Sequence, residues 1–377
     1  MRVRFLLTSM GLVAVASSHL WCSSSTDAGP DVDAGPGSAA SVDAEADADA
    51  DATTAPECTD AFCRVAFPGR DDVVLALWAR SAAEVWGVGL RGFAVKFDGK
   101  DWKQIPTNTK AGIFGVAGTP DGTVWGASSG QELLQLNLEK DGSAEAFDGG
   151  FLAKIDAIAA RDAELVAVGA PVEIFSRDPP QPDNIWRYGS GPEGGAPAWT
   201  AISPPCPMGA SERRCLRYRA VWIENAERQW FAGDDGKIFR TDTSPIGDGG
   251  PPDRIRLEEM NSSSLLRFNP LWGFDGNDIW AVGVEGVIRH WTGSAWMTVQ
   301  SPVARELYGV WGSRPDDVWV VGDNGTILHW DGKSWALVDI PYAPDKHPRF
   351  YAVTGTGDDV WIAGEGALLR STTRRAQ

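Results

Sequence analysis

The segment 316–335, DDVWVVGDNGTILHWDGKSW, recurs in weakened form along most of the chain, and no other feature constrains the fold as tightly. Close copies lie at 277–296, NDIWAVGVEGVIRHWTGSAW, and at 83–102, AEVWGVGLRGFAVKFDGKDW. A unit of this length, holding several short strands, cannot bury its apolar face alone and must stack on its neighbours. The clearest copy reads as four strands. Leu307–Trp311 is the inner strand and Val318–Gly322 an apolar strand buried on both faces. Asp323-Asn324-Gly325 is a tight turn, where Asn-Gly supplies positive φ angles. Thr326–Trp330 is the third strand and Ser334–Val338 the outer one, across the turn Asp331-Gly332-Lys333. Four antiparallel strands per copy describe one propeller blade.

Registering every copy on its second strand gives the anchors Trp86, Trp125, Val166, Trp230, Trp280, Trp319 and Trp361. The steps between them are 39, 41, 64, 50, 39 and 42, so the third and fourth units carry insertions. Trp78, Trp222, Trp272 and Trp311 each precede an anchor by eight residues, which supports the same register. The expectation is an all-β fold, a single seven-bladed propeller spanning 58–377. The last unit stops after three strands, at Phe350–Thr354, Val360–Gly364 and Ala367–Ser371. The segment Phe62–Phe67 has no unit of its own, and it is expected to close the ring as the seventh blade's fourth strand, removing an open sheet edge.

The chain ahead of the ring has a different character. Arg2 and Arg4 followed by the apolar run Phe5–Ala16 read as an export signal, too short to span a bilayer. Residues 23–57 hold nine acids, no Lys, no Arg and no aromatic residue. Such a segment cannot bury enough apolar surface to offset its ordering entropy, and it reads as a disordered, self-repelling tether. Its Asp47-Asp49-Asp51 alternation lacks the Gly turn and closing Glu of a calcium loop. The expected division is therefore signal 1–22, tether 23–57 and propeller 58–377.

The full chain carries a net charge of −17. Removing the nine tether acids and the two signal arginines leaves −10 on residues 58–377. An acidic body argues against nucleic acid and against an anionic membrane surface as partners. Cys58, Cys63, Cys206 and Cys215 form two pairs close in sequence, which in an exported chain suggests two local disulfides. No His sits near either pair to complete a metal site.

An apolar stretch, Cys22 and then Ser23-Ser24-Ser25 resemble the start of a bacterial lipoprotein, which implies lipidation of Cys22. His19 and Trp21 stand where that family carries Leu and a small residue. Ordinary cleavage near Ala14-Val15-Ala16 or Ala16-Ser17-Ser18 is the competing reading. The motifs VWVVGDNGTILHWDGKSW and DIWAVGVEGVIRHWTGSAW resemble repeats of bacterial secreted propellers of the Ycf48-like, BNR and kelch-like type. They are also similar to tandem repeats of predicted myxobacterial propeller lipoproteins. The resemblance covers about 70–377 and implies a fold and an exported location. The sialidase-type signature is matched only in its Asp-Gly and Trp, within His329–Trp335.

No catalytic, cofactor-binding or metal-ligating constellation is read. His290 and His329 fall 39 residues apart at one repeat position, as structural strand residues do. Asp316-Asp317, Asp358-Asp359 and Asn277-Asp278 occupy one recurring turn and read as residues bonding their own backbone. The recurring tryptophans Trp86, Trp280, Trp319 and Trp361, with Trp102, Trp296 and Trp335, read as packing between sheets. No nucleophile-elbow Gly-x-Ser-x-Gly exists. The interruptions carry more promise. Insertions lie at 176–198 and 241–254. The link 202–217 holds Cys206, Cys215 and a basic cluster continuing into the next strand, Arg213, Arg214, Arg217 and Arg219. Loops on rigid scaffolds carry function, so these arginines are the candidate partner contact. The leading expectation is an exported, envelope-anchored, monomeric binding or scaffold module for a protein or polysaccharide, with no cofactor and with membrane association only through the lipid. A glycan-active hydrolase or lyase, using two axial carboxylates, and a purely structural envelope component are the alternatives.

Overall fold

All six residues of Asp317–Gly322 are buried, which a strand achieves only inside a sheet that is itself covered on both faces. The computed structural model describes residues 57–69, 71–137, 143–147, 154–170, 183–189, 197–204, 216–243 and 254–372. Within them, seven four-stranded antiparallel sheets follow one another in the order of the repeats. Strand β1 (Phe62–Arg64) comes first. Blade 1 is β2 (Val74–Ser81), β3 (Glu84–Gly89), β4 (Ala94–Phe97) and β5 (Trp102–Gln104). Blade 2 is β6 (Ile113–Gly118), β7 (Val124–Ser128), β8 (Leu133–Gln135) and β9 (Glu145–Phe147). Blade 3 is β10 (Lys154–Arg161), β11 (Glu164–Ala170), β12 (Ile185–Gly189) and β13 (Ala198–Ala201). Blade 4 is β14 (Tyr218–Ile223), β15 (Gln229–Gly233), β16 (Ile238–Thr241) and β17 (Leu257–Met260). Blade 5 is β18 (Phe268–Asp275), β19 (Asp278–Gly283), β20 (Ile288–Trp291) and β21 (Trp296–Thr298). Blade 6 is β22 (Leu307–Arg314), β23 (Asp317–Gly322), β24 (Ile327–Trp330) and β25 (Trp335–Leu337).

Blade 7 takes β26 (Phe350–Thr356), β27 (Asp359–Gly364) and β28 (Leu368–Ser371) from the C-terminal end, and β1 as its outer strand. Phe62 pairs with Ser371, Cys63 with Arg370 and Arg64 with Leu369. The expected closure holds, with a shorter strand. Pairing ends at Arg64, beyond which a single bond from Val65 N–H to Leu368 O continues it. All seven anchors lie on second strands, and the Asn324-Gly325 turn has the expected positive φ angles of 51° and 69°. Arg91-Gly92, Asp235-Gly236 and Glu285-Gly286 adopt the same pair of conformations, a turn that only blade 6 announces with Asn.

Tryptophan stitches the blades together. Each of several outer-strand indoles packs on the second-strand indole of the preceding blade: Trp199 on Trp125 at 5.8 Å, Trp296 on Trp230 at 6.1 Å and Trp335 on Trp280 at 5.3 Å. Trp102 of blade 1 packs on Trp361 of blade 7 at 5.3 Å, across the ring closure. Such pairs contribute about 0.5–1.5 kcal/mol each beyond the area they bury. Trp86, Trp230, Trp280 and Trp361 are fully buried, as the packing reading expects. The segments read from the sequence as signal (1–22) and tether (up to residue 56), the insertion cores and Cys206 and Cys215 lie outside the described residues.

Candidate functional site

The first strand of every blade runs along the ring axis, so the axial channel is lined by β2, β6, β10, β14, β18, β22 and β26. The channel has two chambers, of about 490 and about 560 Å³. Leu77, Val116, Ile158, Val221, Leu271, Val310 and Val353 belong to the walls of both. One aliphatic side chain per blade therefore makes a seven-membered apolar waist. The chemistry of the two ends differs completely.

The chamber at the strand starts is charged. Lys154, Asp156, Arg217, Arg219, Arg267 and Glu306 line it, with Asn269, Tyr308 and Tyr351. Arg217 grips Asp156 in a two-pronged pair, Nε to Oδ2 and Nη2 to Oδ1, both at 2.6 Å. That bond raises the Arg217 pKa above its ordinary value. Arg219 Nε donates to Asp234 at 2.6 Å. Glu306 accepts from Arg267 and, at 3.0 Å, from Asn269. Burial alone would raise the Glu306 pKa, but these bonds and the Arg267 charge hold it below the ordinary range. Burial, reinforced by the Glu306 and Asp323 charges, pushes the Tyr308 phenol up. Four cations stand against Asp156, Glu306 and the Asp234 that pairs with Arg219, an excess of one positive charge on an acidic body. A glycosidase acid needs a raised pKa. Glu306, held low, does not meet that need, and Asp156 is clamped by Arg217.

The chamber at the strand ends is aromatic. Trp78, Trp222, Trp272, Trp311 and Phe274 line it, with Arg161. Its rim is formed by the turns joining first and second strands.

The candidate arginines divide. Arg213 and Arg214 lie outside the described residues. Arg217 and Arg219 sit at the start of β14, in the wall of the charged chamber. The structure thus brings these two together with Lys154 and Arg267, which sequence reading missed. Their signal was a cation recurring just ahead of, or at the start of, an inner strand. Cys22 lies outside the described residues. Cys58 and Cys63 are brought together, with their sulfurs 2.07 Å apart.

The repeated His and Asp residues are structural, and the Asp side chains reach beyond the backbone of their turn. Asp317 accepts from Trp319 Nε1 at 3.1 Å, pairs with His329 Nε2 at 2.8 Å and binds the Ser313 hydroxyl. His329 lies across from Trp319 in register and stacks on it at 4.2 Å. Asp278 and His290 pair likewise beside Trp280, the rings 4.0 Å apart, but the Trp280 N–H does not bond the carboxylate. Asp359 and Arg370 repeat the Asp317 arrangement around Trp361, and Glu84 and Lys96 around Trp86. An acid two residues before the anchor and a basic side chain across from it recur in most blades. Even Val166, which lacks the indole, is flanked by the Glu164–Arg187 pair at 3.3 Å. The signal was present in the sequence as the i, i+2 and i+12 spacing of Asp, Trp and His. Among the described residues, no group of three His, Cys, Asp or Glu could hold a metal ion.

Neither the protein-family models nor the curated proteins yield a match to this sequence. Solved structures do share the fold. The WD40 propeller domain of Doa1 superposes with a TM-score of 0.62 at 11% identity, over 85% of this chain and 98% of that one. A YCF48 structure with a bound D1 peptide gives 0.60 at 15% identity, over 86% and 98%. YCF48 from Cyanidioschyzon merolae gives 0.60 at 15%, over 82% and 98%. These likenesses establish a β-propeller resembling both WD40 and Ycf48-type rings.

Proposed function

We propose that this protein is an exported, envelope-anchored propeller that binds a protein or polysaccharide partner without chemistry, through the cationic mouth of its axial channel. The observation that carries the reading is the convergence of Lys154, Arg217, Arg219 and Arg267 on one opening of an otherwise acidic molecule. A positive mouth on a negative body selects anionic partners and orients them on approach. The rigid ring holds these groups in place, and the insertion at 202–217 leads directly into the strand carrying Arg219. A YCF48 ring of the same fold binds a peptide, which supports a protein partner. Export rests on the leader at 1–22, the anchor on Cys22, and reach from the membrane on the acidic tether.

The test uses the full chain carrying Lys154→Gln and Arg219→Gln, which leaves the Arg217–Asp156 and Arg267–Glu306 pairs intact. Wild-type protein should retain an envelope partner that the double variant releases, and the complex should weaken with salt. Equal retention by both proteins overturns the assignment of this mouth. Incorporation of radioactive palmitate, lost in Cys22→Ala, tests the anchor.

A further inference from the structure

We propose that Asn261 is an acceptor for N-linked glycosylation, its side-chain amide taking an oligosaccharide from a polyprenyl diphosphate carrier. Occurrence of the reaction in the cell rests on the export reading, whereas the acceptor geometry rests on the ring alone.

The acceptor motif Asn-x-Ser/Thr occurs twice in the chain, at Asn261-Ser262-Ser263 and at Asn324-Gly325-Thr326. The motif needs the hydroxyl at its third place as much as the amide at its first, so both side chains must be reachable together. Both asparagines are exposed, and the third residue separates the two copies. Thr326 is fully buried, and its hydroxyl donates to Asp323 O at 2.6 Å. The turn around it is closed by backbone bonds, Gly322 N–H to Thr326 O, Thr326 N–H to Asp323 O and Gly325 N–H to Pro348 O. Reaching Thr326 means opening the hairpin between β23 and β24, so the fold withholds this copy.

Asn261-Ser262-Ser263 shows the opposite arrangement. It directly follows β17, the outer strand of blade 4, and opens the link to β18. Asn261 and Ser263 are exposed, while Ser262 between them is buried and its hydroxyl donates to Gly236 O at 2.6 Å. The buried Arg289 braces the same segment, donating from Nε to Ser262 O and from Nη2 to Ser263 O, both at 3.0 Å. Ser263 holds a left-handed φ of 53°, uncommon for a residue other than glycine. The Ser263 N–H donates to Asn261 Oδ1 at 2.9 Å, an Asx turn that brings the first and third residues of the motif together. The backbone is thus held from the ring side, and the two reactive side chains face solvent. Among the described residues, neither Asn261 Nδ2 nor the Ser263 hydroxyl has a hydrogen-bond partner.

The chemistry explains why this freedom matters. An amide nitrogen shares its lone pair with the carbonyl and is a weak nucleophile, so a transferase must surround the whole carboxamide. In the transfer, Asn261 Nδ2 forms a bond to the anomeric carbon of the first sugar and gives up one proton. The bond from that carbon to the diphosphate oxygen breaks, and polyprenyl diphosphate leaves with the electron pair. An attached glycan is bulky and hydrated and suits only a surface position. Asn261 follows an outer strand, the part of a blade farthest from the axis, so the glycan projects from the edge of the ring and displaces no packed side chain.

The test incubates the folded full chain with a purified oligosaccharyltransferase and a polyprenyl-diphosphate-linked oligosaccharide, so that export plays no part. The intact mass should rise by a single glycan, carried on the tryptic peptide Leu257–Arg267. Asn261→Gln and Ser263→Ala should each lose the added mass, while Ser263→Thr keeps it and Asn324→Gln changes nothing. All four variants should keep the cooperative thermal transition of the wild type, since each replaces an exposed side chain. Absence of a glycan on the folded chain, undiminished modification of Ser263→Ala, or a glycan on Asn324 would each overturn the proposal. Modification in this reaction but not of the chain recovered from cells would instead overturn the export reading and leave the acceptor assignment supported.

Discussion

Phe62 stands edge-on to Trp319, their ring centroids 5.4 Å apart and their planes at 87°. Phe62 lies on β1, the N-terminal strand that completes blade 7, and Trp319 on the second strand of blade 6. The contact occupies the seat that Trp335 fills on Trp280 and Trp296 on Trp230 one blade earlier each. The closing strand therefore does more than supply hydrogen bonds to β28. It brings the aromatic side chain that the blade 6–blade 7 interface needs, and Phe62 is fully buried there.

Phe62→Ala is expected to cost about 3–5 kcal/mol, the range for removing a buried aromatic from a packed core. Phe62→Trp should retain most of the stability, because Trp occupies the seat elsewhere. Urea denaturation of the three proteins measures both effects. A loss below 1 kcal/mol in Phe62→Ala would show that closure rests on backbone pairing alone.

Asp317 is buried and receives bonds from three side chains, whereas Asp278 is partly exposed. Asp317→Ala leaves the Trp319 N–H and the Ser313 hydroxyl without their acceptor. The expected loss is about 2–3 kcal/mol, against roughly 1 kcal/mol for Asp278→Ala. Chemical denaturation of the two variants gives the comparison, and equal losses would contradict the burial argument.

Acid should weaken the ring through Glu84 and Glu306. Burial of Glu84 raises its pKa, but the Trp86 N–H, Lys96 and Arg80 outweigh it and hold the group below its ordinary value. Glu306 is held low in the same sense. A carboxylate with a depressed folded pKa contributes stability that is complete above its unfolded value, about 4.3. That stability is lost as pH falls through the folded value. The stability gap between wild type and Glu306→Gln should be constant from about pH 6 to 5 and shrink below about pH 4. Melting curves across that range decide the point, and a gap that grows on acidification has the wrong sign.

Cys58 and Cys63 flank the start of the closing strand. With the Cys58–Cys63 bond formed, both resist alkylation until a reductant is added, and Cys58→Ser lowers the melting temperature while leaving the ring folded. Peptide mass mapping with and without reduction reads the first outcome. Ready alkylation of the untreated protein would remove the bond from the account.

The ring was legible because its signal is repeated. A second strand such as Val318–Gly322 declares itself by being apolar throughout, and seven anchors at near-constant spacing leave few alternatives. Even the missing outer strand of blade 7 could be located from an unassigned segment at the other end of the chain. The acid, indole and basic sets were present as spacings, yet the side-chain partners of Asp317 were not read from them. Its turn position suggests a backbone bond, and only the pleat shows that residues two apart share a face with the cross-strand His329.

Local patterning therefore accounts for the strands, the blade count and the closure, since each depends on residues adjacent in sequence or related by one period. The channel obeys a different rule. Lys154, Arg217, Arg267 and Glu306 are separated by 63, 50 and 39 residues in turn, and they converge only because the ring places every inner strand on one axis. The same geometry sorts Trp222, Trp272 and Trp311 to the opposite mouth, behind a waist of seven aliphatic side chains. A periodic sequence specifies each blade separately, and the sum of seven blades around a common axis is what creates two chemically distinct openings.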